Sequence, residues 1–395
     1  GMALIAVDSE VPNERAVERF MRSVREKYPY PTKGRRDLTA AEVVRSADEG
    51  AEFGVDRWDA PSEDLERIEE GGRLDLDQYG GIDRLTSELP GLAWQLARFR
   101  FGTVGPSNHF VELQRVEEVL DPERAALLGV REGQLTIQYH GGGGVLTGEL
   151  GRLFFRRKDY PRQIRAVNLA LKPWFHLRSA RSYAELRQRL SLYFTDGCPP
   201  VELASDEGQR LMLANAAAMN YGFAFRVATY AALRTLAAEA FGGATGRLVV
   251  DSPHNSIYEE PVGDGTGVVH RHNSCRAYPA ELMPEGTTFA TTGQAVLLPG
   301  THRTSSYLAV AGPTSERSLH SACHGAGTVV SDHVRRGLSD TDPEGRSTLR
   351  FRYTDEAPTR AAHFDDNGVN AALGVLVGNG LVTPVARMRP LAVLH

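Results

Sequence analysis

A proline-free, alanine-rich stretch opens at Ser205 and runs to the glycine pair Gly242-Gly243, with apolar side chains at Leu211, Ala218, Phe225 and Leu233. Serine favours the start of a helix and glycine its end, so this stretch predicts one long helix. Its many small residues predict close packing against a neighbour. Ahead of it, Val11 to Tyr28 repeats the helical spacing (Val17, Phe20, Met21, Val24), with Asn13 as the cap. Residues 40–85 are acidic and polar, with short helical pieces such as Ser62–Glu70. Gly102–Leu113 and Gln134–Gly148 read as β-strands entering or leaving glycine-rich turns, the second with Ile137 and Tyr139 flanking Gln138. Behind the long helix, short strands are expected at Arg247–Asp251, Ala295–Leu298 and Ser306–Val310. A final helix near Val369–Leu376 then precedes the tail. No repeat is visible, and strands and helices alternate irregularly, so the fold class is α+β rather than doubly wound.

The bulk numbers remove several classes of function. Hydrophobic residues make up 41% of the 395 and charged ones 24%, which is ordinary globular composition and not that of a disordered chain. No apolar run approaches the ~20 residues that cross a bilayer. Asp8, Glu10 and Glu14 come too early for a signal peptide. Three cysteines (Cys198, Cys275, Cys323) make no disulfide framework, which fits a reducing cytoplasm. With a net charge of −5 there is no global attraction to nucleic acid, so a polyanion site has to be a local basic patch. Arg156, Arg157, Lys158, Arg162 and Arg165 form one such cluster, either a phosphate-binding surface or a solvated face.

Four histidines stand where the chain passes between strand and turn, beside glycine or a small polar residue. The segments are Gly105-Pro106-Ser107-Asn108-His109-Phe110, Tyr139-His140-Gly141-Gly142-Gly143-Gly144, Ser252-Pro253-His254-Asn255 and Cys323-His324-Gly325-Ala326-Gly327. Glycine lets backbone approach a ligand, and strand ends hold side chains on a rigid rim. Imidazole suits Mn, Zn, Fe and Ni, and a divalent ion is the usual partner in phosphate chemistry. The intervals of 31, 114 and 70 residues match no local metal motif, so each histidine alone reads more readily as structural or merely exposed than as functional. Together they are expected to converge on one metal-centred site.

In their order along the chain, these blocks resemble the signature segments of the RtcB family of RNA-splicing ligases. Gly102-Thr103-Val104-Gly105-Pro106-Ser107-Asn108-His109-Phe110-Val111-Glu112 is similar to the family's Gly-Thr-Leu-Gly-x-Gly-Asn-His-Phe-x-Glu block. His254-Asn255, Val269-His270-Arg271 with Arg276-Ala277, Pro299-Gly300, Ser321 to Gly327 and Ala386 to Leu391 follow in the family's order. The resemblance runs from residue 2 to the C-terminus. It implies a single RtcB-like catalytic domain over 1–395, of α+β class with a mixed sheet and peripheral helices, and a basic and helical segment at about 150–243.

The resemblance also implies a chemistry: GTP and Mn²⁺, or another divalent metal, join an RNA 3′-phosphate or 2′,3′-cyclic phosphate to a 5′-hydroxyl. Carried over position by position, His324 is the nucleophile that takes up GMP, and His109, His140 and His254 ligate metal. Asn108, Glu112, Asn255, Pro299, Gly300, Thr301, Ser306, Gly325, Ala326, Gly327 and His395 match nucleotide-binding positions. Its partners are then RNA ends and GTP, with no membrane, in tRNA splicing or RNA repair. Cys323 reads as a buried small residue. Two alternatives stand beside this: a divergent paralogue with altered nucleotide use or phosphoesterase activity, and a non-catalytic RNA-binding relative.

Departures from the family pattern cluster around the nucleotide. An arginine of the glycine turn is Gly144 here, a lysine is His272, the residue after the His-Gly-Ala-Gly block is Thr328 instead of arginine, and the C-terminal lysine is His395. The Pro-Gly-Ser-Met-Gly loop reads Pro299-Gly300-Thr301-His302-Arg303. His272, Arg303 and His395 are expected to restore part of the lost charge. Family members also carry Gly-x-Asp-x-Gly-Cys-Gly, whose Asp and Cys ligate metal, before a Met-hydrophobic strand. This sequence opens Gly1-Met2-Ala3-Leu4, as though entering that motif at its last glycine. The expectation is a reading frame that starts upstream, with a native short paralogue as the alternative. Without those two ligands, one metal ion at most and weak ligation or none are expected of this chain.

Overall fold

The computed structural model describes residues 1–30, 37–105, 108–154, 162–195 and 200–395, with backbone only for 162–168. Thirteen strands are present among these residues: β1 (Met2–Glu10), β2 (Phe110–Val119), β3 (Gln134–His140), β4 (Gly246–Ser252), β5 (Asn255–Val262), β6 (Gly265–His272), β7 (Ser274–Arg276), β8 (Ala295–Leu298), β9 (Ser306–Ala311), β10 (Ser321–Cys323), β11 (Ser347–Phe351), β12 (Thr359–Ala362) and β13 (Val382–Leu394). Nine of them form one mixed sheet in the order β12-β11-β13-β2-β3-β1-β4, with β9 on β13 and β8 on β9. The β11–β13 pairing is parallel and the others antiparallel.

Strand β3 shows how the sheet sits in the molecule. Leu135, Ile137 and Tyr139 face the helices Glu14–Lys27 and Asp206–Ala240, in a core with Ile5, Phe20 and Tyr230. Gln134, Thr136, Gln138 and His140 alternate with them on the opposite face, and all seven residues are buried. On that second face, Leu4 and Ala6 of β1 pack with Leu297, Leu308 and Val310, because β8 and β9 curl over it. An alternating strand is normally wet on its polar side. Here the polar side is roofed.

The helix opened by Ser205 runs from Asp206 to Ala240, and the Ser205 hydroxyl accepts the Gly208 amide at 3.1 Å. Ala214, Ala217, Ala224 and Ala228 are buried along it, so flanking elements come close; a Cβ added at Gly54 would lie 2.7 Å from Val227. Each fully buried large apolar side chain on it, such as Phe223 or Leu233, contributes about 1.5–3 kcal/mol. The helix Glu14–Lys27 begins where expected, with Asn13 Oδ1 accepting the Ala16 amide at 3.0 Å.

Other expectations are corrected. The strand expected over Gly102–Leu113 starts only at Phe110, because Gly102 (φ +61) and Gly105 (φ +71) turn the backbone into the left-handed region. The strand expected over Gln134–Gly148 stops at His140, and a helix, Gly144–Phe154, follows. The tail is a 13-residue strand paired with β2, β9 and β11. Pro384 and Pro390 conceal it in the sequence, and the register shifts beside each proline show how the sheet admits them. Arg156, Arg157, Lys158 and Cys198 lie outside the described residues, as do the side chains of Arg162 and Arg165. Among the described residues no helix is long and apolar enough to cross a membrane.

Candidate active site

Strand register brings the first three histidines together. His140, the last residue of β3, is opposite both Phe110 of β2 and Met2 of β1, and Met2 is opposite Ser252 of β4. One row across the sheet therefore passes His140, lies one residue from His109 and two from His254. The fourth arrives on the short β7–β10 pair, where Cys323 is opposite Ser274. The Ser274 amide donates to the His254 carbonyl at 3.1 Å and the His324 amide to the Asn273 carbonyl at 3.1 Å, which docks this pair beside His254.

The imidazoles then meet face and edge. His140 Nδ1 lies 2.7 Å from the Asn108 carbonyl, which only accepts, so Nδ1 carries the proton and Nε2 keeps its lone pair. That Nε2 is 2.9 Å from His254 Nε2. The His254 and His324 rings are stacked, 4.1 Å between centroids at 22°. Ligand atoms of His140, His254 and His324 all lie within 4.8 Å of one another. The His109 ring is 5.3 Å from that of His140 and fits between two glycines. A Cβ at Gly105 would stand 2.7 Å from His109 Nδ1, and one at Gly142 would stand 3.1 Å from its Cε1. The tight group therefore holds His324, the expected nucleophile, and His109 adjoins it.

Burial pushes His109 down to about 4, His140 and His254 to about 2, and His324 to about 3. All four are thus neutral near pH 7, the form that ligates metal or attacks phosphorus. His109 Nδ1 is buried with no hydrogen-bond partner among the described residues. An orphaned ring nitrogen beside three converging neutral imidazoles fits a divalent cation.

A cavity of about 690 Å³ opens on His109, His140 and His324. Asn108, Glu112, Pro299, Gly300, Thr301, Ser306, Gly325, Gly327 and His395, all matched in the sequence to nucleotide-binding positions, line it. Two expected residues do not. Ala326 is wholly buried among Cys275, Ala322 and Val330, and its amide is spent on the Pro299 carbonyl at 2.7 Å. Asn255 faces a separate hollow, and its Oδ1 accepts the Asn273 amide at 3.1 Å. Cys323 is exposed and lines the cavity, so the expected burial belongs to Cys275 alone of these two thiols.

Sequence reasoning missed Gln114 and Gln138, which are hydrogen-bonded with Glu112 and Ser306. Gln114 Nε2 donates to Glu112 Oε1 at 2.6 Å and to Gln138 Oε1 at 3.0 Å, and lies 3.3 Å from Ser306 Oγ. Burial pushes the Glu112 carboxyl up to about 8. Alternating polar residues on β2 and β3 were the available signal, masked because such a face is ordinarily assigned to solvent.

The expected replacement of lost charge also fails. Arg303 turns away, its guanidinium 3.6 Å over the Phe364 ring and its Nε donating to the Ala362 carbonyl at 2.6 Å. His272 lines the other hollow. His395 does reach the cavity, with its Nε2 accepting from Arg350 Nε at 2.6 Å and its ring 5.7 Å from His302. Burial lowers its pKa, so it adds no fixed positive charge. No lysine or arginine among the described residues lines this cavity.

Neutral imidazoles gathered at one end of this cavity are compatible with a bound metal ion. The sequence model of the family described as tRNA-splicing ligase RtcB matches residues 1–395, and the chain belongs to the RtcB family. It is 30% identical over 383 residues to the tRNA-splicing ligase RtcB of Pyrococcus horikoshii, covering 92% of this chain and 40% of that relative. It is 31% identical over 360 residues to the RNA-splicing ligase RtcB of Mycobacterium tuberculosis, covering 87% and 74% respectively. With the tRNA-splicing ligase RtcB of Thermococcus kodakarensis the identity is 30% over 382 residues, covering 92% and 72%. The chain therefore spans about two-fifths of the length of the Pyrococcus horikoshii relative and close to three-quarters of the other two.

Proposed function

We propose that this chain is an RNA ligase acting in tRNA splicing or RNA repair. It joins a 3′-phosphate or 2′,3′-cyclic phosphate end to a 5′-hydroxyl end, with GTP as co-substrate and Mn²⁺ or another divalent ion as cofactor. One observation carries the reading: four histidines spread over more than half the chain gather in one group, three of them lining one cavity, in a member of a family whose curated relatives are named RNA-splicing ligases.

His109, His140 and His254 would hold the ion, which supplies charge neutralisation at phosphate oxygens and a Lewis acid. His324 is neutral and needs no separate base. Its ring nitrogen bonds to the α-phosphorus of the nucleotide as pyrophosphate leaves. A 2′,3′-cyclic end first takes up water, which breaks the P–O2′ bond and leaves a 3′-phosphate; the nucleotidyl group then passes from that nitrogen to the RNA 3′-phosphate, and the 5′-hydroxyl oxygen displaces the nucleoside monophosphate. The Asn108 carbonyl holds His140 in the tautomer that points Nε2 inward. Gly325, at φ +90, turns the backbone beside His324 as only glycine does readily.

A cavity wall with no lysine or arginine among the described residues favours a second reading, a paralogue that uses another nucleotide or acts as a phosphoesterase. Incubation with Mn²⁺ and each labelled nucleoside triphosphate separates the two. An acid-labile protein adduct with GTP, lost in His324→Ala, supports the ligase. An adduct with a different nucleotide supports the paralogue, and no adduct with any nucleotide sinks the covalent mechanism.

A further inference from the structure

The helices Arg162–Arg178 and Tyr183–Phe194 stand apart from the rest of the molecule in charge. Residues 162–195 contain seven lysines and arginines against one carboxylate, Glu185, in a chain of net charge −5. Glu185 is engaged by the buried Arg189, which also pairs with Glu207. Arg178, Arg181 and Arg187 are exposed and have no carboxylate in ion-pair range among the described residues. Two large aromatic rings accompany them: Trp174 is 53% exposed and Tyr183 80% exposed. The Arg178 guanidinium lies 5.1 Å over the Trp174 ring, one helical turn along the same face. Arg178 and Arg181 also form part of the wall of an adjoining cleft of about 860 Å³.

Bare aromatic rings at a surface invite a partner, and unpaired arginines beside them specify its charge. A single-stranded nucleic acid satisfies both, since every base offers a π-face and every linkage an anion. Double helices hide their base faces, and a protein partner would need an acidic patch for the arginines together with apolar pockets for both rings. We infer that the face bearing Trp174, Arg178, Arg181 and Tyr183 is a docking platform for the body of a single-stranded RNA. Bases stack on Trp174 and Tyr183, and the two arginines take backbone phosphates. The inference rests on the reading of the substrate as RNA. It places the contact well away from the reacting end. The helix Gly144–Phe154 starts just after His140, packs against the platform's first helix, and spans about 16 Å.

Binding is measured in a His324→Ala background without metal or nucleotide, by anisotropy of a labelled unstructured RNA at two salt concentrations. Arg178→Glu with Arg181→Glu is expected to weaken binding by about tenfold or more and to reduce the salt slope by about 1.4. Trp174→Ala with Tyr183→Ala is expected to weaken it about tenfold with the slope unchanged, and Trp174→Phe with Tyr183→Phe to restore it. Unaltered melting of each variant keeps a folding defect from imitating the result. With His324 intact, the same variants should form the nucleotide adduct as well as the parent chain. Unchanged RNA affinity in both double variants overturns the platform and leaves this face to a protein partner. Equal losses for duplex and single-stranded RNA overturn the single-strand assignment. Loss of RNA binding in the variants, with no adduct in any form of the chain, leaves the platform standing and removes the ligase mechanism instead.

Discussion

His140 at the end of a central strand and His176 in the helical layer are both buried histidines held down to about 2, yet only His140 belongs to the candidate site. His176 has its needs met locally. Its Nε2 lies 2.9 Å from the Leu153 carbonyl, its ring stacks on Tyr193 at 3.6 Å, and its Nδ1 is 3.5 Å from Arg210. Around it, Arg189, Glu207, Arg210 and Glu88 pair off in the interior. His140 spends Nδ1 on Asn108 and turns Nε2 toward His254, with no carboxylate in the group. Burial and a depressed pKa are common to the two. What separates them is whether the lone pair is spent on the fold or left facing other ligands.

The sharpest break of this comparison is functional. His324→Ala should abolish nucleotide labelling and His140→Ala should abolish metal uptake, whereas His176→Gln should leave both intact, as checked by adduct assay and metal titration. A stability effect without a functional one belongs to the helical layer. Arg210→Met takes one of two arginine partners from each of Glu207 and Glu88, which keep Arg189 and Arg84, and should cost about 1.5–3 kcal/mol in denaturant unfolding while metal uptake persists.

Glu112 sharpens the contrast through pH. Its folded pKa, about 8, lies above the ordinary 4.5, so its contribution is fully present at low pH. It is lost as pH rises from 4.5 through 8, because the unfolded chain ionises first. Glu112→Gln should therefore gain on the parent across that window by about 5 kcal/mol and level off above it. A difference that does not vary with pH refutes the assignment. The smallest effect is expected of Gly105→Ala. Positive φ costs about 1–2 kcal/mol there, and the new Cβ presses on His109 Nδ1, so melting and metal affinity should both fall modestly.

Much of the fold was legible where the deciding physics is local. The caps at Asn13 and Ser205, the absence of proline over 206–240 and the glycine stop are read from neighbours within a few residues. The short strands β4, β8 and β9 were found within a residue or so of their ends. Strand β13 was not, because two prolines argue against a strand unless bulges are known to accommodate them. The hairpin β5–β6 and the pair β11–β12 were also missed, for their pairing lies with distant segments or with a turn whose residues carry weak signals.

For the site, residue identity and order along the chain were enough to single out His109, His140, His254 and His324 and to place the chain beside the RtcB family. Grouping was not legible. Which three nitrogens converge follows from the register of β1, β2, β3 and β4 and from the docking of β7 with β10, all of it set by contacts between residues far apart in sequence. Direction was hidden as well. Arg303 and His272 are cations or potential cations beside the right motifs, and only tertiary packing turned one onto Phe364 and the other into a different hollow. Periodicity tells which side chains share a face of a strand. Whether that face meets water, a core or a cavity depends on what the rest of the chain lays over it.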